Sequence, residues 1–306
     1  MEAAEYVRMA EVQDRHWWFE AKRRTVASLL ERHGVGKGVH GVSRVLEVGP
    51  GTGSMIDVMT RHGRMYAADA YVPALRLLVE QRPTAADVEP VAANLLDLPF
   101  ADESFSLLGC FDVLYHQNVV DVAAALAELR RVCAPGGYVA ITDSAFPLLR
   151  SSHDVATHAA RRFRLPDLTE PLRAVGFDVE HASYFHTLLF PAAVTVRLAK
   201  RLSQGSPQLE GMPGGGTGAA GAAGVSSPAR TASAVGDAAS AGAAGEEEVA
   251  AHSDLAPVAG WLNALLLSLY RLEIPFTTRW RAPFGSSLLI LARRPHAGAD
   301  LVAVGG

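Results

Sequence analysis

The 306-residue sequence contains only two cysteines, Cys110 and Cys133, too few for a disulfide framework or a cysteine metal site. It has no basic excess. Against 28 Lys and Arg stand 32 Asp and Glu, for a formal net charge of −4. The electrostatic footprint of nucleic-acid binding is therefore missing, and no nucleic-acid partner is expected. The opening stretch, MEAAEYVRMAEVQDRHWW, lacks the basic start and apolar centre of a secretory leader. The longest apolar-looking run, Leu255 to Tyr270, falls short of the ~20 residues that span a bilayer. These absences make the cytoplasm the expected compartment. Residues 204–254 have no aromatic and almost no large aliphatic side chain. Such a segment cannot bury enough apolar surface to offset its ordering entropy, so it reads as a flexible linker. No internal repeat is evident.

What is present is a globular composition, 49% hydrophobic and 20% charged, in a chain long enough for a sizeable core. Residues 1–43 form a helical, aromatic and basic lead-in. From 44 to 145 apolar runs alternate with amphipathic segments, the pattern of βα units and a mostly parallel sheet. Expected strands are Arg44–Val48, Arg64–Asp69, Pro90–Asn94, Ser106–Val113 and Gly137–Asp143. Expected helices lie near Met55–His62, Val72–Gln81 and Val122–Cys133, the last stopped by APGG. Further on, LPDLTEPLRAVGFDVEHASYF reads as a helix ended by Gly176 and then a strand. LLFPAAVTVRLAKRL and LAPVAGWLNALLLSLYRLE read as helices, and SSLLILARR as a final strand. The expected organisation is a helical extension over 1–43, a core over 44–203, the linker over 204–254, and a cap helix with the last strand over 255–306.

Residues 45–54 read VLEVGPGTGS, an apolar run ending in Glu47 and followed by Gly49, Gly51 and Gly53 at alternate positions. A glycine turn between strand and helix lets a ligand approach the main chain, because no Cβ intervenes. The dinucleotide fingerprint G-x-G-x-x-G seats a pyrophosphate on a helix N-terminus. Here the spacing is G-x-G-x-G and Ser54 stands at its third position, which weakens a dinucleotide without excluding it. Asp69 closes the second strand, where a carboxylate can accept both ribose hydroxyls. Asn94 and Leu95 fall at the carboxyl edge of the sheet, where an amide and an apolar side chain can flank adenine. The glycine loop carries no Arg or Lys for a phosphate. These features suit S-adenosylmethionine (SAM), a nucleoside joined to an amino acid.

VLEVGPGTGS, the Asp69 strand end, NLLDLPFADESFSLLGCFDVLYH and LRRVCAPGGYVAITD, in that order, resemble the motifs of class I SAM-dependent methyltransferases of the small-molecule type. The match runs over roughly residues 40–145. RHWWFEAKRR, HAARRFRLPDLTEPLRAVGF and RAPFGSSLLILARR resemble a subgroup often found near glycan and lipid pathways. The resemblance implies an α/β, Rossmann-like, seven-stranded and mostly parallel sheet with an antiparallel last strand. It implies SAM as cofactor, with Glu47 and the glycine loop at the methionine end, Asp69 at the ribose, Asn94 and Leu95 at the adenine, and Phe111 beside the methyl. Family members usually carry Asp where Asn94 stands, and the Gly/Ala-rich insertion is not a family feature.

The implied function is methyl transfer to a small-molecule or lipid/glycan-linked acceptor, at oxygen. Alternatives are an NAD(P)-dependent oxidoreductase, disfavoured by the glycine spacing and the absence of a Tyr-x-x-x-Lys pair, and a non-catalytic SAM-binding regulator. Alignment supplies much of the rate, and a base is needed only where the nucleophile carries a proton. His116 is the candidate base, since histidine titrates near neutral pH; Asp143 is a weaker candidate, and Asp112 reads as structural. Tyr115 reads as pocket wall. Trp18 and Phe19 share helical spacing with Val26, Leu29 and Leu30 and are expected to pack on the sheet, with a lid as the alternative. Trp17 points away from them. His158, Arg161 and Arg162 read as a solvated basic face or an anion contact. The helices over 190–203 and 255–272 are expected to cap the pocket, and their apolar faces, with Arg197, Lys200 and Arg201, permit peripheral membrane contact.

Overall fold

The computed structural model describes residues 3–36, 43–82, 88–150, 152–188, 190–191, 194–195 and 258–296. The expected linker, most of the helix over 190–203, and the last ten residues lie outside them.

Two helices lead in, α1 (Ala3–Val12) and α2 (Trp17–Arg32). His16 starts α2 by accepting the Trp18 N–H on its Nδ1. A seven-stranded sheet follows: β1 (Arg44–Val48), β2 (Arg64–Asp69), β3 (Val88–Ala92), β4 (Phe105–Phe111), β5 (Cys133–Ser144), β6 (Asp178–Phe185) and β7 (Ser287–Arg293). Its order is β3-β2-β1-β4-β5-β7-β6. The first five strands pair in parallel, whereas β7 runs antiparallel between β5 and β6. Helices α3 (Ile56–Met59), α4 (Val72–Gln81), α5 (Val122–Val132), α6 (Ser152–Ala156), α7 (Leu165–Ala174) and α8 (Gly260–Arg279) complete the frame. Successive β1 residues feed opposite layers. Val45 packs with Leu29, Leu30, Met59 and Leu107; Leu46 and Val48 pack with Leu108, Leu126 and Leu129. Burial of both faces is why these strands read as unbroken apolar runs. The chain reverses strand order between β1 and β4, and ligands bind at that switch point in open α/β sheets.

Several expected boundaries move. β3 begins two residues early and carries Pro90 inside it, which is tolerated because β3 is an edge strand. β4 stops at Phe111 because Asp112 turns to φ +59°. APGG does not separate α5 from the next strand: β5 already starts at Cys133, and the extra residues are absorbed by a register shift against β4 between Phe105 and Leu107. The helix expected over Met55–His62 is a single α turn followed by a 3₁₀ turn, Thr60–His62. α8 runs on through Pro275 to Arg279. It does not cap the site; it packs against α2 and β6. No described helix is long and apolar enough to cross a membrane.

Candidate active site

The three glycines after β1 do different work. Gly49 sits at φ +66°, and a Cβ there would stand 2.5 Å from Val113 Cγ2, so this position is needed for close packing. Gly53 packs against the Arg82 side chain and Ile56. At Gly51, φ +55°, a Cβ would meet nothing nearer than a Tyr6 ring carbon at 3.8 Å. Gly51 alone offers open backbone to a ligand. Its N–H donates to Asp69 Oδ2 (3.2 Å), and the Tyr71 N–H donates to Asp69 Oδ1 (2.8 Å). Burial raises the Asp69 pKa, against the opposing pull of these amides.

A cavity of about 540 Å³ opens here, within the range of small-molecule sites. Its wall brings together Gly49, Gly51, Asp69, Asn94, Leu95, Phe111, Asp112, Tyr115 and His116. Leu95 and Phe111 are buried, while Asn94 is exposed and uses its Oδ1 to accept the Leu96 N–H (3.0 Å). Glu47 and Gly53 are not part of the wall. Glu47 shares the face of β1 that Val45 presents to α2 and α3, and its Oε2 has no hydrogen-bond partner. Burial pushes its pKa up to about 8, opposed by Lys22 and Arg82. Asp143 is likewise off the wall, accepting the Tyr115 and Ser144 N–H groups, with its pKa raised by burial.

His116 is half-buried, and burial lowers its pKa to about 4. Its Nδ1 accepts the Asn118 N–H (3.2 Å), which assigns the proton of the neutral ring to Nε2. In that tautomer Nε2 donates and does not accept. The His158 ring lies 5.9 Å away. Arg162 is no solvated cation: it is bidentate to buried Asp154 (2.6 and 2.9 Å) and donates to Ala145 O.

The lead-in helices supply much of the remaining wall: Tyr6, Met9, Trp17, Trp18, Phe19 and Lys22. Thr52 Oγ1 donates to Gln13 Oε1 (2.8 Å) while Gln13 Nε2 donates to Thr52 O (3.0 Å), and Arg82 joins Asp14 to Thr52 O. These bonds fasten the α1–α2 corner to the glycine turn. Trp18 and Phe19 thus face the cavity, and Trp17 lines it too.

Sequence reasoning missed Lys22. Its Nζ lies 2.7 Å from Asp112 Oδ2 and 4.8 Å from the Trp18 ring centre. The signal was there, because Lys22 falls four residues after Trp18 and four before Val26, on the apolar stripe. His186, also missed, stacks on Trp18 (5.5 Å between ring centres) with neither ring nitrogen partnered, and burial lowers its pKa to about 3. Among the described residues no group of metal-ligating side chains is present.

Residues 46–141 match the family model described as a methyltransferase domain. With the sheet order and the glycine turn, residues 46–141 are similar in sequence and fold to class I, SAM-dependent methyltransferase domains. Among individual proteins, a demethylmenaquinone methyltransferase of Roseiflexus sp. (strain RS-1) is 38% identical over 117 residues, 36% of this chain and 48% of that protein. One from Mycobacterium sp. (strain KMS) is 36% identical over 140 residues, 45% of this chain and 53% of that protein. An Aspergillus nomiae protein named O-methyltransferase rstn1 is 30% identical over 147 residues, covering 44% and 64%. The chain spans about half the length of the first two. A methyltransferase candidate of Haloferax volcanii, solved with a methyltransferase activator, shares the fold at a TM-score of 0.51 and 16% identity over 96% of this chain and 95% of that one.

Proposed function

We propose that this protein transfers a methyl group from SAM to a small-molecule or lipid-linked acceptor, at oxygen. The observation that carries the reading is the Gly51–Asp69 corner: backbone left bare toward the cavity, beside a carboxylate whose oxygens keep lone pairs beyond the two amides they accept. Leu95 and Phe111 offer apolar wall next to it, and the glycine turn carries no cation for a phosphate. The residues present therefore fit a nucleoside. Bound SAM supplies an electrophilic methyl on a cationic sulfur.

The chain's own groups do the rest. Asp69 holds the ribose hydroxyls, Leu95 and Asn94 flank the base, and Phe111 closes the floor. Glu47, behind the wall, acts indirectly as the buried end of β1. Lys22 is neutralised by Asp112, which leaves the cavity open to a cationic ligand. His116, with its proton on Nε2, orients an acceptor oxygen by donation, so the acceptor arrives ionised or loses its proton to water. Tyr6, Trp17 and Trp18 exclude bulk water. The names of the relatives support a small-molecule acceptor, and the name O-methyltransferase alone supports oxygen as the methylated atom.

Calorimetry with SAM, S-adenosylhomocysteine and NADH, followed by labelled-SAM turnover on small-molecule and lipid extracts, tests this. Asp69→Ala is expected to weaken SAM binding by about tenfold or more, since each hydrogen bond to a charged group contributes about 1.5–3 kcal/mol. Binding of NADH in place of SAM would overturn the reading, and unchanged SAM affinity in the variant would remove Asp69 from the ribose role.

A further inference from the structure

Helix α8 is turned inside out. Its buried residues are Tyr270, Glu273, Thr277 and Thr278, whereas Trp261, Leu265, Leu269, Leu272, Phe276 and Trp280 are exposed. Their spacing is that of one helical stripe. Trp261 is 72% exposed, Leu272 73% and Trp280 61%. Together they make an apolar patch of several hundred Å², the size at which exposed patches mark interaction sites.

The orientation is specified by hydrogen bonds. Glu273 accepts the N–H groups of Thr187 (2.7 Å) and Leu188 (3.0 Å), and the Tyr270 hydroxyl accepts the His186 N–H (3.3 Å). Asn263 accepts the Trp17 N–H (2.7 Å) and donates to Arg15 O (2.9 Å). Rolling the stripe inward would break all of these bonds and strand buried polar groups, each at about 1–3 kcal/mol.

The exposed charge that α8 itself carries has one sign, with Glu31 of α2 beside Arg279 in the groove between the two helices. Arg271 and Arg279 are exposed on α8, Arg281 follows it, and the helix's only acid, Glu273, is buried. A tryptophan stands at either end, where an interfacial helix places amphipathic rings.

We propose that α8 docks this face on an anionic lipid bilayer, with the apolar stripe sunk to the acyl boundary and Arg271, Arg279 and Arg281 among the headgroup phosphates. A second copy is the poorer occupant. Self-pairing of identical faces about a twofold axis brings these arginines together with no exposed acid of α8 to pair them. Because the Asn263 hydrogen bonds fix α8 to the start of α2, where Trp17 lines the cavity, docking sets the membrane beside the site. That last consequence, delivery of a lipid-soluble acceptor, rests on the methyltransferase reading; the docking does not.

The test is sedimentation of the full chain with vesicles of phosphatidylcholine alone and of phosphatidylcholine mixed with phosphatidylglycerol. Binding is expected to the mixed vesicles. Arg271→Ala and Arg279→Ala each weaken it about fivefold, with no such effect on neutral vesicles. Leu272→Glu weakens it by more than about tenfold while leaving the melting temperature and SAM affinity unchanged. The proposal is overturned if the chain stays in the supernatant, or if Leu272→Glu binds as well as the parent. It is overturned too if, without vesicle binding, Leu272→Glu converts a dimer to a monomer, which assigns the stripe to a second copy. Loss of thermal stability in Leu272→Glu without vesicle binding would give the stripe to residues 192–257 of the same chain. Calorimetry with SAM on the same samples reports separately on the methyltransferase reading.

Discussion

Replacing Glu47 with Gln should make the protein more stable, by an amount set by pH. In the fold this carboxyl is fully buried, its Oε2 has no partner, and its pKa rises from 4.5 to about 8. Between those two values the folded chain binds more protons than the unfolded one, so stability falls as pH rises through that window and levels off above it. Each pH unit climbed inside the window removes about 1.4 kcal/mol, so by pH 7 the group costs about 3 kcal/mol. That is a large fraction of the ~5–15 kcal/mol by which domains are stable. Gln keeps the shape of the neutral acid and cannot ionise. Urea unfolding followed by tryptophan fluorescence at pH 5, 6, 7 and 8 should show near-equal stability of the two proteins at pH 5. The gap should then widen by about 1.4 kcal/mol per pH unit up to pH 8. SAM affinity should change by less than about threefold, because Glu47 stands behind the cavity wall. Parallel stability curves across this range would show that the carboxyl is not held neutral, and the burial argument would fail.

Two glycines of one turn should respond differently. Gly49→Ala forces a Cβ onto Val113 at positive φ and should cost about 2–4 kcal/mol, read as a lower melting temperature, with Val113→Ala recovering the steric part. Gly51→Ala should cost about 1–2 kcal/mol of stability but should depress SAM affinity in calorimetry, because its methyl enters the open side of the turn. Lys22→Met leaves Asp112 without its cation and should destabilise by about 2–4 kcal/mol in denaturant titration; adding Asp112→Asn should restore part of that loss. His116, with its pKa near 4, should contribute no limb between pH 6 and 7 to the kcat/KM profile, and His116→Gln should leave the profile's shape intact.

The sheet and its glycine turn were legible in the chain because the forces that make them are local. Buried parallel strands appear as apolar runs such as RVLEV and RMYAAD, and both were bounded to the residue. The last strand was found the same way, its antiparallel direction was implied by the family resemblance, and the structure placed it between β5 and β6. Asp69 and Leu95, wall residues at the carboxyl edge, followed from the rule that ligands gather there, whereas Phe111 was implied by the family resemblance.

The tertiary structure decided what depends on elements distant in sequence. Lys22 meets Asp112 across 90 positions, and the α1–α2 corner reaches the glycine turn through Gln13 and Thr52, so pocket wall arises from residues whose spacing signals only packing. Arg162 became a buried partner of Asp154 instead of a surface cation. The outward turn of α8 is the clearest case. Periodicity reports that a helix has an apolar face but cannot say which way it points, because Glu273, Tyr270 and Asn263 fix that direction through partners more than eighty residues away.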